Sequence, residues 1–216
     1  MKTINLLLGG PTDLWPDEMN SMEIDGEWIG VDRGNLWLIE KGKTPIIAIG
    51  DFDSMSSDEQ KIVSSHVSDI RTFDPHKDYT DTQLALTIAD QELNADIINI
   101  YGATGGRIDH FISNFLMATE PKYKSIVHKI RIIDKQNTIT YYTPGDGKVV
   151  KEDNKHYLAF IPLNQMNLSI YDAEYTLDNH FVPRAFAYSS NQFVTNECNF
   201  WFDEGILCVI QSKDQK

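Results

Sequence analysis

The chain has 216 residues, 41% of them hydrophobic and 11% aromatic, which is enough for one large domain or two small ones with a sizeable core. Its formal charge of −13, from 32 acidic against 19 basic residues, argues against a surface built for nucleic acid or anionic lipid, because both need clustered Lys and Arg. No stretch is long and apolar enough to span a membrane, and residues 1–10 hold one short apolar run that reads as a first strand, so the cytoplasm is the expected compartment.

Along the first half, residues 4–8, 28–31, 46–49 and 97–101 read as strands, and residues 36–41, 58–65, 81–93 and 110–119 as helical stretches between or after them. Such alternation predicts a mostly parallel sheet covered by helices. After about residue 125 the pattern changes to short β-rich runs at 129–133, 138–143, 157–162, 168–171, 186–189, 193–195, 200–202 and 206–210. Turn residues such as Pro144-Gly145-Asp146-Gly147 and Asp203-Glu204-Gly205 punctuate them, no convincing helix intervenes, and a sandwich or barrel is expected. The expected division is an α/β domain over residues 1–125 and an all-β domain over 126–216, without a flexible linker. Cys198 and Cys208 are the only cysteines, and they are expected to stay reduced and pack as small hydrophobes.

Three segments carry chemistry, each at a strand–helix transition of the first half. In Ile46-Ile47-Ala48-Ile49-Gly50-Asp51-Phe52-Asp53-Ser54, an apolar strand ends in two carboxylates two residues apart, which leave an extended backbone on the same side. Two close carboxylates repel unless a cation lies between them, and a hard cation carrying phosphate resolves the conflict. The plainer alternative is a solvated turn in which Asp51 or Ser54 caps the next helix. In Lys77-Asp78-Tyr79-Thr80-Asp81-Thr82-Gln83, Thr80 and Gln83 have the spacing of a capping box, making Asp81 the first helical residue. In Gly102-Ala103-Thr104-Gly105-Gly106-Arg107-Ile108-Asp109-His110, glycines allow close backbone approach to an anion, a helix start offers N–H donors, and Arg107 adds a phosphate-matched fork. The alternative there is a tight turn with Asp109 as N-cap. Asp32-Arg33-Gly34 is a weaker fourth element that by itself reads as a turn. The scattered histidines have no metal-ligand spacing, and there is no Gly-x-Ser-x-Gly elbow, so acyl transfer is disfavoured. Together the three segments point to metal-assisted phosphoryl-type transfer, with Asp51, Asp53 and Asp81 at the metal and Lys77 and Gly105-Gly106-Arg107 at phosphates.

Gly30-Val31-Asp32-Arg33-Gly34, the run from Gly42 to the Gly-Asp-Phe-Asp-Ser ending at Ser54, Lys77-Asp78-x-Thr80-Asp81, and Gly102-x-x-Gly105-Gly106-Arg107-x-Asp109-His110 closely resemble the thiamine pyrophosphokinase family in order and spacing. Ile161-Pro162-Leu163 and Ser189-Ser190-Asn191-Gln192-Phe193 resemble its β-domain more loosely. The resemblance implies transfer of pyrophosphate from ATP to the hydroxyl of thiamine by an α/β catalytic domain followed by a β-sandwich. It also implies a homodimer whose thiamine pocket combines the α/β domain of one chain with the β-domain of the other. On this basis Asp51, Asp53 and Asp81 would bind Mg²⁺, and Ser54, Lys77, Asp78, Thr80, Gly105, Gly106 and Arg107 would lie along ATP. Asp109 would face thiamine, with Ser189, Ser190 and Asn191 lining its pocket. Two departures stand out: the last strand, Gly205-Ile206-Leu207-Cys208-Val209, lacks the thiamine-stacking Trp of some relatives, and Gln192 stands where an acidic residue is expected. A phosphohydrolase or glycosyltransferase with an Asp-x-Asp motif, and a silent ligand sensor on the same scaffold, are the alternatives.

Overall fold

A computed structural model describes residues 1–52, 55–72 and 79–214. The chain divides into two compact units, Met1–Met117 with Arg131–Lys135, and Ala118–Ile130 with Gln136–Lys216. The first unit contains, in order, β1 (Thr3–Leu7), α1 (Glu18–Ser21), β2 (Glu27–Val31), α2 (Gly34–Glu40), β3 (Ile47–Ile49), α3 (Ser57–His66), β4 (Ile70–Arg71), α4 (Asp81–Gln91), β5 (Ile97–Tyr101) and α5 (Ile108–Leu116); β6 (Ile130–Ile133) follows β5. Strands β5-β1-β2-β3-β4 lie in that order and are all parallel. The chain walks outward from β1 to β4 and returns to the other side of β1 with β5, so β1 marks the point where strand order reverses. In sheets of this kind ligands bind outside the carboxyl ends of the strands at that switch.

In β1 the residues Ile4, Leu6 and Leu7 are apolar and fully buried, as expected of a parallel strand covered on both faces. Its one polar core residue, Asn5, is satisfied: Asn99 Nδ2 on β5 donates to its Oδ1 at 2.9 Å, and its own Nδ2 donates to the Asp25 carbonyl at 2.9 Å. At α4 the capping box forms as its spacing predicts, with Gln83 N donating to Thr80 Oγ1 (3.3 Å) and Thr80 N donating to Gln83 Oε1 (3.0 Å). The alternative cap at α3 does not form. Ser56, not Asp51, is the N-cap, in a reciprocal box with Glu59. Two elements escaped the sequence pattern because they are too short to show a period, the four-residue α1 and the two-residue edge strand β4.

The second unit holds β7 (Asn137–Tyr142), β8 (Gly145–Val150), β9 (Tyr157–Pro162), β10 (Met166–Ile170), β11 (Leu177–Val182), β12 (Tyr188–Gln192), β13 (Glu197–Phe202) and β14 (Leu207–Ser212). They form two antiparallel sheets, β7-β14-β9-β12 and β11-β10-β13-β8, a sandwich. Its core includes Phe160, Leu168, Phe200, Phe202 and Val209. Phe200 meets Tyr142 and Phe160 edge-on at 4.9 and 5.5 Å between ring centres, an arrangement favoured by the ring quadrupoles.

The structure corrects three local readings here. Pro144-Gly145-Asp146-Gly147 leads into β8 rather than forming only a turn, and Gly147 pairs with Phe200 on β13. A Cβ on Gly147 would lie 2.2 Å from the Phe200 ring, so this glycine makes room for the core aromatic. The runs at 186–189 and 193–195 are replaced by one strand, β12, and β11 was missed because its sequence is polar and mostly exposed.

Cys198 and Cys208 are free and buried. Burial pushes the Cys198 thiol up to about 11 and the Cys208 thiol higher still, leaving little reactive thiolate at neutral pH. The native protein is therefore expected to resist iodoacetamide at neutral pH and to be alkylated at both positions after unfolding in urea, as read by mass spectrometry.

Candidate active site

The carboxyl edge of the first sheet is assembled from the loops after β1, β2, β3 and β5 and the start of α4. β3 is followed by Gly50, whose φ of +143° favours glycine, and then by the exposed Asp51. A Cβ on Gly50 would lie 2.3 Å from Asp32 Oδ1, so the Asp32 carboxylate is seated against the peptide that launches Asp51. Asp32 has a left-handed φ of +48° and donates its backbone N–H to the Ile49 carbonyl at 2.8 Å. The Asp32-Arg33-Gly34 segment is thus more than a turn: it leads into α2 and ties β2 to β3. Arg33 extends the tie, with Nη2 donating to Glu59 Oε1 on α3 at 2.9 Å.

Asp81 is the first residue of α4, where unpaired N–H groups favour its charge. Beside β1 and β5, Leu8 N donates to the Tyr101 carbonyl and Gly10 N to the Gly102 carbonyl, each at 2.9 Å, joining the two loops at the switch point. Gly105 (φ +74°) and Gly106 (φ +64°) form the turn before α5. Thr104 Oγ1, in the same turn, is buried and has no hydrogen-bond partner among the described residues. Asp109 is not the N-cap of α5. That position belongs to Arg107, and Asp109 lies in the first helical turn.

Arg107 and Asp109 form a bidentate pair, with Nε donating to Oδ1 at 3.2 Å and Nη2 to Oδ2 at 2.6 Å. The guanidinium hydrogen bonds hold the Asp109 carboxyl below the usual range, and the carboxylate raises Arg107 in turn. Because both groups are exposed, this pair contributes little to stability. Its consequence is chemical: an anion binding Arg107 must compete with Asp109.

Asp53, Ser54, Lys77 and Asp78 lie outside the described residues. Among the described residues no group of three His, Cys, Asp or Glu is arranged to hold a metal. The described members of the acidic set, Asp51 and Asp81, offer carboxylate oxygens, a donor type suited to a hard divalent cation.

In the second unit, β12 carries a bulge. Tyr188 pairs with Phe160 and Asn191 with Leu158, so one extra residue is inserted between the pairs on β12. Ser189 and Ser190 occupy the bulge, both exposed, and Ser190 has a φ of +60°. Asn191 is buried behind them. Its Oδ1 accepts from Tyr175 N and Gln192 N, each at 2.9 Å, and its Nδ2 donates to the Tyr175 carbonyl at 2.8 Å. The Asn191 amide clamps a neighbouring loop and supports the serines from behind. The sequence signal also missed Asn35, which is fully buried in α2; a side-chain amide inside an apolar helical face was its only trace.

Residues 22–130 match the thiamin pyrophosphokinase catalytic domain and residues 148–207 the thiamin pyrophosphokinase vitamin B1 binding domain. A thiamine pyrophosphokinase of Bacillus subtilis is 38% identical over 99% of this chain and 100% of its own length. The crystal structure of a thiamin pyrophosphokinase family protein from Enterococcus faecalis superposes with a TM-score of 0.92 at 40% identity, covering 99% of this chain and all of that one. The Bacillus subtilis crystal structure gives a TM-score of 0.86 at 37% identity, covering 99% of this chain and all of that one. The chain therefore belongs to the thiamine pyrophosphokinase family.

Proposed function

We propose that this chain transfers the pyrophosphoryl group of ATP to the hydroxyl of thiamine, yielding thiamine diphosphate and AMP. The observation that carries this reading is the 38% identity to a thiamine pyrophosphokinase over 99% of the chain. The hydroxyl oxygen attacks the β-phosphorus, the bond from that phosphorus to the α–β bridging oxygen breaks, and AMP leaves with that oxygen. Positioning and charge neutralisation supply most of the acceleration in such transfers.

Mg²⁺, held by Asp51, Asp53 and Asp81, would neutralise triphosphate charge. Ser54, Lys77, Asp78, Thr80 and the Gly105–Gly106 backbone lie along ATP, and Arg107 gives its fork to a phosphate after releasing Asp109. Asp109 then faces the thiamine hydroxyl. A carboxylate is a weak base at neutral pH, so its role is to orient the hydroxyl and take the proton late. Ser189 and Ser190 contact thiamine while Asn191 holds the bulge.

The active form is a homodimer, with the pocket shared between the α/β domain of one chain and the β-domain of the other. Supporting this, Ile108, Ile112 and Leu116 form an apolar stripe along α5, 73%, 47% and 44% exposed, of the kind that a second copy would cover. The absence of any helix long and apolar enough to cross a membrane, among the described residues, is consistent with work in the cytoplasm.

Incubation with ATP, Mg²⁺ and thiamine is expected to yield AMP only when thiamine is present; ADP or phosphate formed without thiamine would refute the transfer. Asp81→Asn is expected to lower kcat by roughly 10²–10⁴ at saturating Mg²⁺, as for other losses of transition-state charge stabilisation. The Asp109 carboxyl, followed by carbon-detected NMR, is expected to titrate below the usual range in the wild type and to move up toward that range in Arg107→Ala. The sign follows from the pair: stabilisation of the ionised form is present above the ordinary carboxyl pKa and is lost as the pH falls through the depressed one.

A further inference from the structure

Asn35 is fully buried in the first turns of α2, one turn from the candidate site's edge. Its Nδ2 donates to the Asp32 carbonyl at 3.0 Å and to the Ile49 carbonyl at 3.4 Å, while its backbone N–H also donates to the Asp32 carbonyl at 3.1 Å. Ile49 is the last residue of β3, and its carbonyl accepts from Asp32 N as well, so one amide ties the exits of β2 and β3 together. The seat is tight on the other side. Among the described residues Asn35 Oδ1 is buried without a hydrogen-bond partner, and a Cβ on Gly30 would lie 2.1 Å from it. Leaving a buried acceptor unpaired is costly, and an apolar side chain of similar size would avoid that cost. The only gain visible in the hydrogen bonding comes from the two carbonyls that the amide holds, and those carbonyls fix the backbone from which Gly50 and Asp51 leave.

Resting on the functional reading above, we infer that Asn35 is a positioning residue for Asp51. Through the Asp32 and Ile49 carbonyls it sets the direction in which the Asp51 carboxylate leaves β3, the carboxylate that would hold Mg²⁺. Asn35 touches neither substrate. Its loss acts through the backbone, in the way that outer-layer hydrogen bonds orient a metal ligand.

The test compares wild type, Asn35→Ala, the milder Asn35→Ser, and Asn99→Ala, which breaks the part-buried amide contact with Asn5 in mid-strand. Thermal unfolding is followed against Mg²⁺ in the presence of α,β-methylene-ATP, alongside kcat and the thiamine KM. Both Asn35 variants are expected to raise the Mg²⁺ midpoint about tenfold and to lower kcat, with thiamine KM within about twofold of wild type. Asn99→Ala is expected to lower Tm and leave the Mg²⁺ midpoint in place. The inference is overturned if the Asn35 variants lose Tm alone, as Asn99→Ala does, or if neither folds, which would make Asn35 a fold determinant. A wild type with no Mg²⁺ response and no thiamine-dependent AMP overturns the functional reading and this inference with it. A normal wild type with unshifted Asn35 variants overturns the inference alone.

Discussion

The candidate site depends on a single backbone carbonyl, that of Ile49 at the end of β3. It accepts from Asp32 N at 2.8 Å and from Asn35 Nδ2 at 3.4 Å, and the chain then passes through Gly50 at φ +143° to Asp51. A parallel strand has no hairpin to fix where its last residue points, and β3 is only three residues long. The direction of Asp51 is therefore set from outside the strand, by the left-handed Asp32 and by a buried amide on α2. Gly50 cannot be replaced without displacing the Asp32 carboxylate, because any Cβ there would overlap it.

The opposite side of the edge is organised by charge. Arg107 and Asp109 pair at the start of α5, and the pairing keeps the arginine fork oriented and the carboxyl below its usual range until an anion competes for the guanidinium. Substrate binding and the release of Asp109 toward the acceptor hydroxyl are then one event in the proposed reaction. In the β-sandwich a related economy holds at β12. A bulge turns two serines outward, and the amide of Asn191, spent on Tyr175 and Gln192, supports that conformation. Two buried asparagines, Asn35 and Asn191, thus stand behind the exposed groups in the two units.

Much of this was legible in the chain. The strands at 97–101 and 157–162 have the bounds that the apolar runs predict, and Thr80 caps α4 as its spacing to Gln83 requires. Short-range rules suffice where an element's signal lies within one or two turns. They fail at β11, whose polar sequence becomes a strand by pairing with β10, and at Gly147, where a glycine that resembles a turn residue makes room for the Phe200 ring. They fail also at the helix starts. Ser56 rather than Asp51 caps α3, and Arg107 rather than Asp109 occupies the cap of α5, because several nearby residues can serve and the path of the loop selects one.

By itself the sequence determined the family and the change from parallel α/β to antiparallel β, and it supplied the chemical types proposed for the site, since carboxylates after an apolar strand, a capping box and a glycine-rich turn are local patterns. Tertiary structure alone decided which groups are held in place and by what. The Asn35 amide reaches Ile49 across 14 positions, Arg33 reaches Glu59 across 26, and Asn191 reaches Tyr175 across 16. Those bonds depend on helices and strands having already packed, and side-chain reach across a packed interface leaves no periodic trace in the chain.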